Sequence, residues 1–270
     1  MAPTVLALLL FILAPLAGCS ASPEPTGAAP ADATQDGLAP SAQVPSSAPP
    51  AGAQPDWHTL EPLPRERLAA ALLSVTDLPA GSTTETADGT TSAETTARYE
   101  KAAQRYPACA PIITVLAEQS DVAVRRLYVT GNNVRGNRTL TDISSFPQGH
   151  VRQRFDALAA AVSGACSHFA LPGPNGDREL RVEAVAADGL EAPAVGFRIL
   201  SPTGAVETTG GTTTIHLYAA VGDNRVLFTT VDDTAHQPAL RADLVTAQIH
   251  RLVTATAPTT PTATATATAG

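Results

Sequence analysis

The sequence predicts an α+β domain: a mainly antiparallel, twisted sheet with helices packed mostly on one face and one disulfide. Three observations lead there. Helical and strand signals follow one another as helices, two strands, a helix, four strands and a helix, the order of an α+β chain rather than of alternating βαβ units. The strand signals alternate apolar and polar residues and are joined by tight turns, which makes neighbouring strands antiparallel. Forty-four per cent of the 270 residues are hydrophobic, enough for a core, although aromatics are only 4% and each side chain therefore buries little area.

The first helix opens at Pro64, which suits a first turn, and sets Leu68, Leu72, Leu73 and Val75 on one side before Asp77-Leu78-Pro79-Ala80-Gly81 ends it. Ser82 to Ala97 is polar and reads as loop with at most one short strand. Tyr99, Ala102, Ala103 and Tyr106 recur at helical spacing, Pro107 interrupts, and a further helical piece carries Ile112, Ile113, Val115 and Leu116. Val122 to Thr130 is rich in β-branched residues, and Gly131-Asn132-Asn133 turns the chain into a second strand near Thr139 to Phe146. The strongest helical stripe follows Pro147 and runs through Val151, Phe155, Leu158, Val162 and Cys166.

Beyond the breaker Pro172-Gly173-Pro174-Asn175-Gly176 lie four strand signals. Leu180, Val182 and Ala184 mark the first, and Val195, Phe197 and Ile199 the second. Ile215, Leu217, Ala219 and Val221 mark the third, and Gly222-Asp223-Asn224 reverses the chain into Val226 to Val231. Gly210-Gly211 falls between two strands as a turn. A last helix from Pro238 to Ala255 turns Ala242, Val245, Ile249 and Leu252 inward.

The flanks read differently. Val5 to Leu16 is an uncharged apolar run of about 12 residues, roughly 18 Å as a helix against a hydrocarbon core of about 30 Å, so it suits a cleaved signal rather than a membrane span. It runs into Leu16-Ala17-Gly18-Cys19, which resembles a bacterial lipobox. That resemblance implies removal of residues 1–18, diacylglycerol on the Cys19 thiol and acylation of the new terminus, a multi-chain anchor that holds where one chain does not. The alternative is ordinary secretion with Cys19 free. Met1-Ala2-Pro3-Thr4 carries no Lys or Arg, so either the amino terminus alone supplies the usual positive charge or the true start lies upstream.

Residues 19–56 form the lipidated Cys and a tether of Ala, Pro, Ser, Gly and Thr, too poor in apolar side chains to offset ordering entropy. Its reach is about 35 Å as flexible coil and near 110 Å fully stretched. Residues 57–257 are the folded domain, and 258–270 a Thr/Ala/Pro tail.

If Cys19 carries lipid, two thiols remain, Cys109 and Cys166, and two in an oxidising compartment pair. They enclose 166 − 109 = 57 residues, and closing that loop is worth about 4 kcal/mol. The pair would pin the helix of Val151 to the one near Ile112. The formal net charge of −8 is kept after residues 1–18 are removed and disfavours nucleic acid and anionic headgroups as partners.

Leu72-Leu73 with Asp77-Leu78-Pro79-Ala80-Gly81, Cys109 and Cys166 with Phe155 and Leu158 before the second, the turn Val221-Gly222-Asp223-Asn224, and the closing helix with Gln248 and Leu252 span about 190 residues. In that order they resemble actinobacterial cell-envelope lipoproteins whose domain is similar to the extracellular sensor domain of mycobacterial receptor serine/threonine kinases, the PknH-like fold. The resemblance implies a mixed sheet with a cleft that binds an envelope ligand. Four departures stand beside it: no kinase domain, no transmembrane helix, cysteines for one bridge where the kinase sensors have two, and Ser82 where the family places an aromatic.

Signatures of catalysis are missing from the sequence. There is no Gly-x-Ser-x-Gly elbow, and the only lysine, Lys101, has Arg98 rather than Ser three residues before it. The six histidines are scattered; Asp232-Asp233 with His236 is the nearest thing to a metal set and reads better as capping acids before Pro238. No cofactor and no metal are expected. For ligand binding, Arg126 and Tyr128 on one strand and His216 and Tyr218 on another are expected on the open face of the sheet, where tyrosine and arginine suit a glycan or acidic small molecule. Arg135 and Arg138 beside Asn132 and Asn133 read as a solvated hairpin. The leading expectation is a non-catalytic lipid-anchored sensor or ligand-binding module, its partners the membrane and an unknown small molecule, glycan or envelope protein. The alternatives are an assembly lipoprotein that grips a partner protein in an apolar groove, and a secreted hydrolase.

Overall fold

A computed structural model of the chain describes residues 60–87, 91–130, 137–173, 176–201, 213–232 and 238–257. The signal, Cys19, the tether, the tail, the turns at 131–136 and 210–211, and the Asp233 and His236 positions lie outside those residues. The elements are α1 (Arg65–Ala71), β1 (Thr83–Thr86), α2 (Ala93–Arg105), α3 (Ala110–Ala117), β2 (Val122–Thr130), β3 (Asn137–Ser145) and α4 (His150–Ala160). They continue as β4 (His168–Leu171), β5 (Arg178–Val185), β6 (Ala194–Leu200), β7 (Thr213–Val221), β8 (Asn224–Asp232) and α5 (Ala242–Thr256). The eight strands make one sheet in the order β1-β2-β3-β8-β7-β6-β5-β4. Every pairing in it is antiparallel, not mixed as the family resemblance implied.

Helices cover both faces, which corrects the expectation of one covered and one wet face. On β7, Leu217, Ala219 and Val221 join a core with Leu68 of α1 and Leu244, Val245, Ile249 and Leu252 of α5. The alternate residue Tyr218 joins a second core with Ile112 and Ile113 of α3, Val151 and Leu158 of α4, and Phe169, Val182 and Phe197 of the sheet. A strand buried on both sides needs no polar row, and from Thr213 to Val221 there is no charged residue.

Two helix endings and one strand differ from the pattern. α1 stops at Ala71, short of Val75, because the buried Gln248 of α5 donates from Nε2 to the Ala71 carbonyl at 2.7 Å and accepts at Oε1 from the Leu73 amide at 3.1 Å. The amide of Gln248 thereby satisfies two backbone groups that another helical turn would have used. Val75 is left outside, half exposed. Cys166 does not continue the helical stripe: after α4 a π-helical turn, Ala161–Ala165, holds Gly164 at φ 138°, and Cys166 is extended. It is nonetheless buried and bonded to Cys109, at the start of α3, so the bridge ties α3 to the end of that turn. β4 follows at once, a further strand of only four residues beyond the four expected after the helix.

The entry of the domain is clamped to the β7–β8 hairpin. Asp223 N donates to the Leu60 carbonyl at 3.0 Å, while Asn224 donates from Nδ2 to the Glu61 carbonyl at 3.0 Å and accepts at Oδ1 from Leu63 N at 2.8 Å. The approach is so close that a Cβ on Gly222, itself at φ 62°, would lie 2.3 Å from the Leu60 carbonyl oxygen.

Candidate functional site

The two helical layers are offset. α2, α3 and α4 leave the β2–β3 end of their face open, and there a cleft of about 190 Å³ lies between α3 and the strands. Strand pairing dictates which side chains meet in it. Arg125 of β2 stands across from Asp142 of β3, and Ser144, two residues on, stands across from Arg225 of β8. Glu118 comes in from the end of α3, and His150 and Arg154 from one face of α4.

The result is a buried charge network. The Arg225 side chain is 1% exposed. It donates from Nη1 to Glu118 Oε2 at 3.1 Å and from Nη2 to Asp142 Oδ1 at 3.4 Å and Ser144 Oγ at 3.3 Å. Arg125 Nε donates to Asp142 Oδ2, Arg154 Nε to Glu118 Oε1 at 3.1 Å, and His150 Nε2 lies 2.8 Å from the same oxygen. The Arg225 guanidinium also sits 4.8 Å over the Phe146 ring, on which His150 stacks. One polar atom is left over: Arg225 Nε is buried and has no hydrogen-bond partner. Val115, Leu116, Leu140 and Leu227 supply apolar lining.

The four residues expected on an open face are buried or committed elsewhere, and in two groups on opposite faces. Arg126 and Tyr128 point under α1 and α5, where Arg126 Nη1 and Tyr128 Oη both donate to the Leu73 carbonyl. Burial pushes the Tyr128 phenol up to about 12. Tyr218 lies under α4 and donates to the Val151 carbonyl at 3.2 Å, its phenol likewise raised by burial. His216 stacks on Phe197, with Thr229 Oγ1 3.1 Å from Nδ1 and Thr214 Oγ1 3.1 Å from Nε2. Their polar atoms satisfy the core rather than face a ligand. The network that does line a cleft has no signal in the sequence, because its charged residues lie in mixed polar segments far apart along the chain.

Burial alone lowers His216 from its ordinary 6.5 to about 4. Unfolded chains therefore bind the extra proton first as pH falls, so stability is fully present above about 6.5 and is lost toward 4. At ~1.4 kcal/mol per factor of ten in proton affinity, that loss is about 3 kcal/mol for this one group. Urea midpoints taken between pH 7.5 and 4 should fall less steeply for His216→Gln than for the native chain; parallel slopes would show that His216 is not held neutral.

Among the described residues no group of three His, Cys, Asp or Glu is placed to hold a metal ion, and no helix is long and apolar enough to cross a membrane. A larger groove of about 500 Å³ between α2 and α3 is lined by Tyr99, Ala103 and Ile113 with two carboxylates and no cation, so the opposed charges are concentrated at Arg225.

No protein-family model matches the chain, and no curated protein matches it. Among solved structures it is similar to the extracellular domain of PknH from Mycobacterium tuberculosis, at 9% identity and a TM-score of 0.40 over 73% of this chain and 97% of that one. It is also similar to a putative uncharacterized protein, the Rv0999 ortholog, from Mycobacterium smegmatis, at 12% identity and a TM-score of 0.34 over 71% and 94%. Neither likeness assigns this chain a role.

Proposed function

We propose that the chain is a non-catalytic, sensor-like module that binds a ligand in the Arg225 cleft, held on the outer side of the cell membrane by lipid on Cys19 and spaced from it by residues 20–56. The observation that carries the reading is the cleft itself: its ionised groups face one another in fixed pairs above apolar walls, an arrangement that recognises rather than reacts. The hydroxyl–imidazole pair that reaches it, Thr229 with His216, supports the same view. A ring held at about 4 is a weak proton acceptor at neutral pH, so it activates the hydroxyl poorly.

Anchoring is tested by growing cells on an alkyne-tagged fatty acid. The native chain should carry the tag and sediment with membranes, and Cys19→Ser should lose the tag and appear in the medium. A native chain without tag, or one that still begins at Met1 by intact mass, would remove the lipid from the reading.

A further inference from the structure

We propose that a second pocket, between α2 and the β4–β5 hairpin, takes a phosphate monoester carried on a sugar-sized polyol. It shares no lining residue with the Arg225 cleft and is independent of the reading given to that cleft. Strand register builds one wall. On β5, Arg178 falls on the same face as Leu180 and Val182 and directly across from Leu171 of β4, the face on which α2 packs. On α2, Arg98 and Tyr99 follow Thr95 by three and four residues and so share its side of the helix. These side chains enclose about 420 Å³, with Gly173 and Gly176 beside them. That volume falls in the range of small-ligand sites, roughly 300–1,000 Å³.

Each guanidinium is held by one nitrogen. Arg98 Nε donates to the Pro172 carbonyl at 2.6 Å, and Arg178 Nε to Ser201 Oγ at 2.9 Å. Among the described residues neither meets a carboxylate, and Asp177, beside Arg178 in sequence, is turned to Arg105. The charged ends stand at the pocket. Arg98 Nη2 lies 3.9 Å from where a Cβ on Gly173 would be, and Gly173 has none to cover it; Arg178 is exposed. Tyr99 Oη has no hydrogen-bond partner among the described residues. Burial raises its phenol, the charges of Arg178 and Arg98 oppose that rise, and no carboxylate adds to it, so both cations act on one hydroxyl. Two cations without a counter-ion match a dianion. A carboxylate or sulfate ester brings one charge; a phosphate monoester brings nearly two above its second pKa of about 6, and three free oxygens for two forks and a hydroxyl. The Tyr99 ring and Leu171 offer the polyol's C–H face an apolar surface.

The test titrates the full chain by calorimetry at pH 7.5 with glucose 6-phosphate, glucose 6-sulfate, glucuronate and glucose. The phosphate should bind, the two monoanions about tenfold more weakly, and glucose not at all. Lowering the pH to 5, where the phosphate carries mostly one charge, should remove that tenfold advantage. Arg98→Gln and Arg178→Gln should each weaken glucose 6-phosphate about tenfold, and Tyr99→Phe, which keeps the ring, about threefold. Arg178 is exposed, so its variant carries the test should Arg98→Gln fail to fold. Arg152→Gln, which removes an exposed cation of α4, should leave binding unchanged. Phosphatidylcholine vesicles with phosphatidylinositol 4-phosphate, set against the same vesicles with phosphatidylinositol, tell a lipid-borne monoester from a soluble one, and binding of either monoester supports the class. Glucuronate or the sulfate bound as tightly as the phosphate overturns the proposal. So does full affinity in Arg178→Gln, an equal loss in Arg152→Gln, or binding of neither glucose 6-phosphate nor the phosphorylated vesicles.

Discussion

Replacing Arg225 with Met lowers the free energy of unfolding by about 3–5 kcal/mol, read from urea denaturation at pH 7. The side chain removed is sealed, and its two carboxylate partners, nine-tenths buried, stay behind facing a thioether. Arg125, Arg154 and His150 still reach those carboxylates, which places the expected loss toward the lower end of the range. The Phe146 contact is partly kept, because a thioether packs well on an aromatic ring, so the loss reports charge rather than volume. Arg225→Lys should fall between the two, keeping the cation but not the fork that reaches Glu118, Asp142 and Ser144 together. Adding Glu118→Gln and Asp142→Asn to the Met variant should recover part of the loss, because the penalty lies in uncompensated charge. A Met variant within about 1 kcal/mol of the native chain would mean that water reaches this network freely.

What the sequence made visible follows from the kind of signal each element emits. Apolar periodicity marks α2, α3, α4, α5 and the strands β5 to β7, β-branched residues mark β2, and the turns before them mark β3 and β8. β4 emits almost none: four residues between Cys166 and a proline-glycine breaker hold one buried pair, Phe169 and Ala170. The disulfide was legible because the cysteine count left two thiols; the left-handed Gly164 that takes Cys166 out of the helix was not.

The misplaced ligand face has a single cause. Alternation along β7 shows two sets of residues but not whether the second set is wet; Tyr218 hides its hydroxyl against a backbone carbonyl, and His216 sets both ring nitrogens against threonines. The lack of any Lys, Arg, Asp or Glu from Thr213 to Val221 is the signal that decides for burial. Nothing comparable marks the Arg225 network. Arg225 is 83 residues from Asp142 and 107 from Glu118; strand register brings the first to it and the end of α3 the second.

Removing the bridge by Cys109→Ala with Cys166→Ala should cost about 4 kcal/mol, close to the effect at Arg225 but of different origin. The bond closes 57 residues that hold α3, β2, β3 and α4, and without it the unfolded chain regains the freedom that closure removes. Both half-cystines are 3% exposed, so alanines also leave a small void between α3 and the π-helical turn. The two contributions can be separated. The loop term acts on the unfolded state and lowers the midpoint for every probe alike. The void acts where the sulfurs were, so amide exchange should quicken first in β4, which among the described strands pairs only with β5, and at the start of α3. The central pairs β3–β8 and β7–β8, where the strands are nine residues long, should keep their protection until global unfolding. Alkylation of both cysteines in the folded, unreduced protein would show that the bridge is absent, and uniform quickening of exchange would show that it acts through the unfolded chain alone.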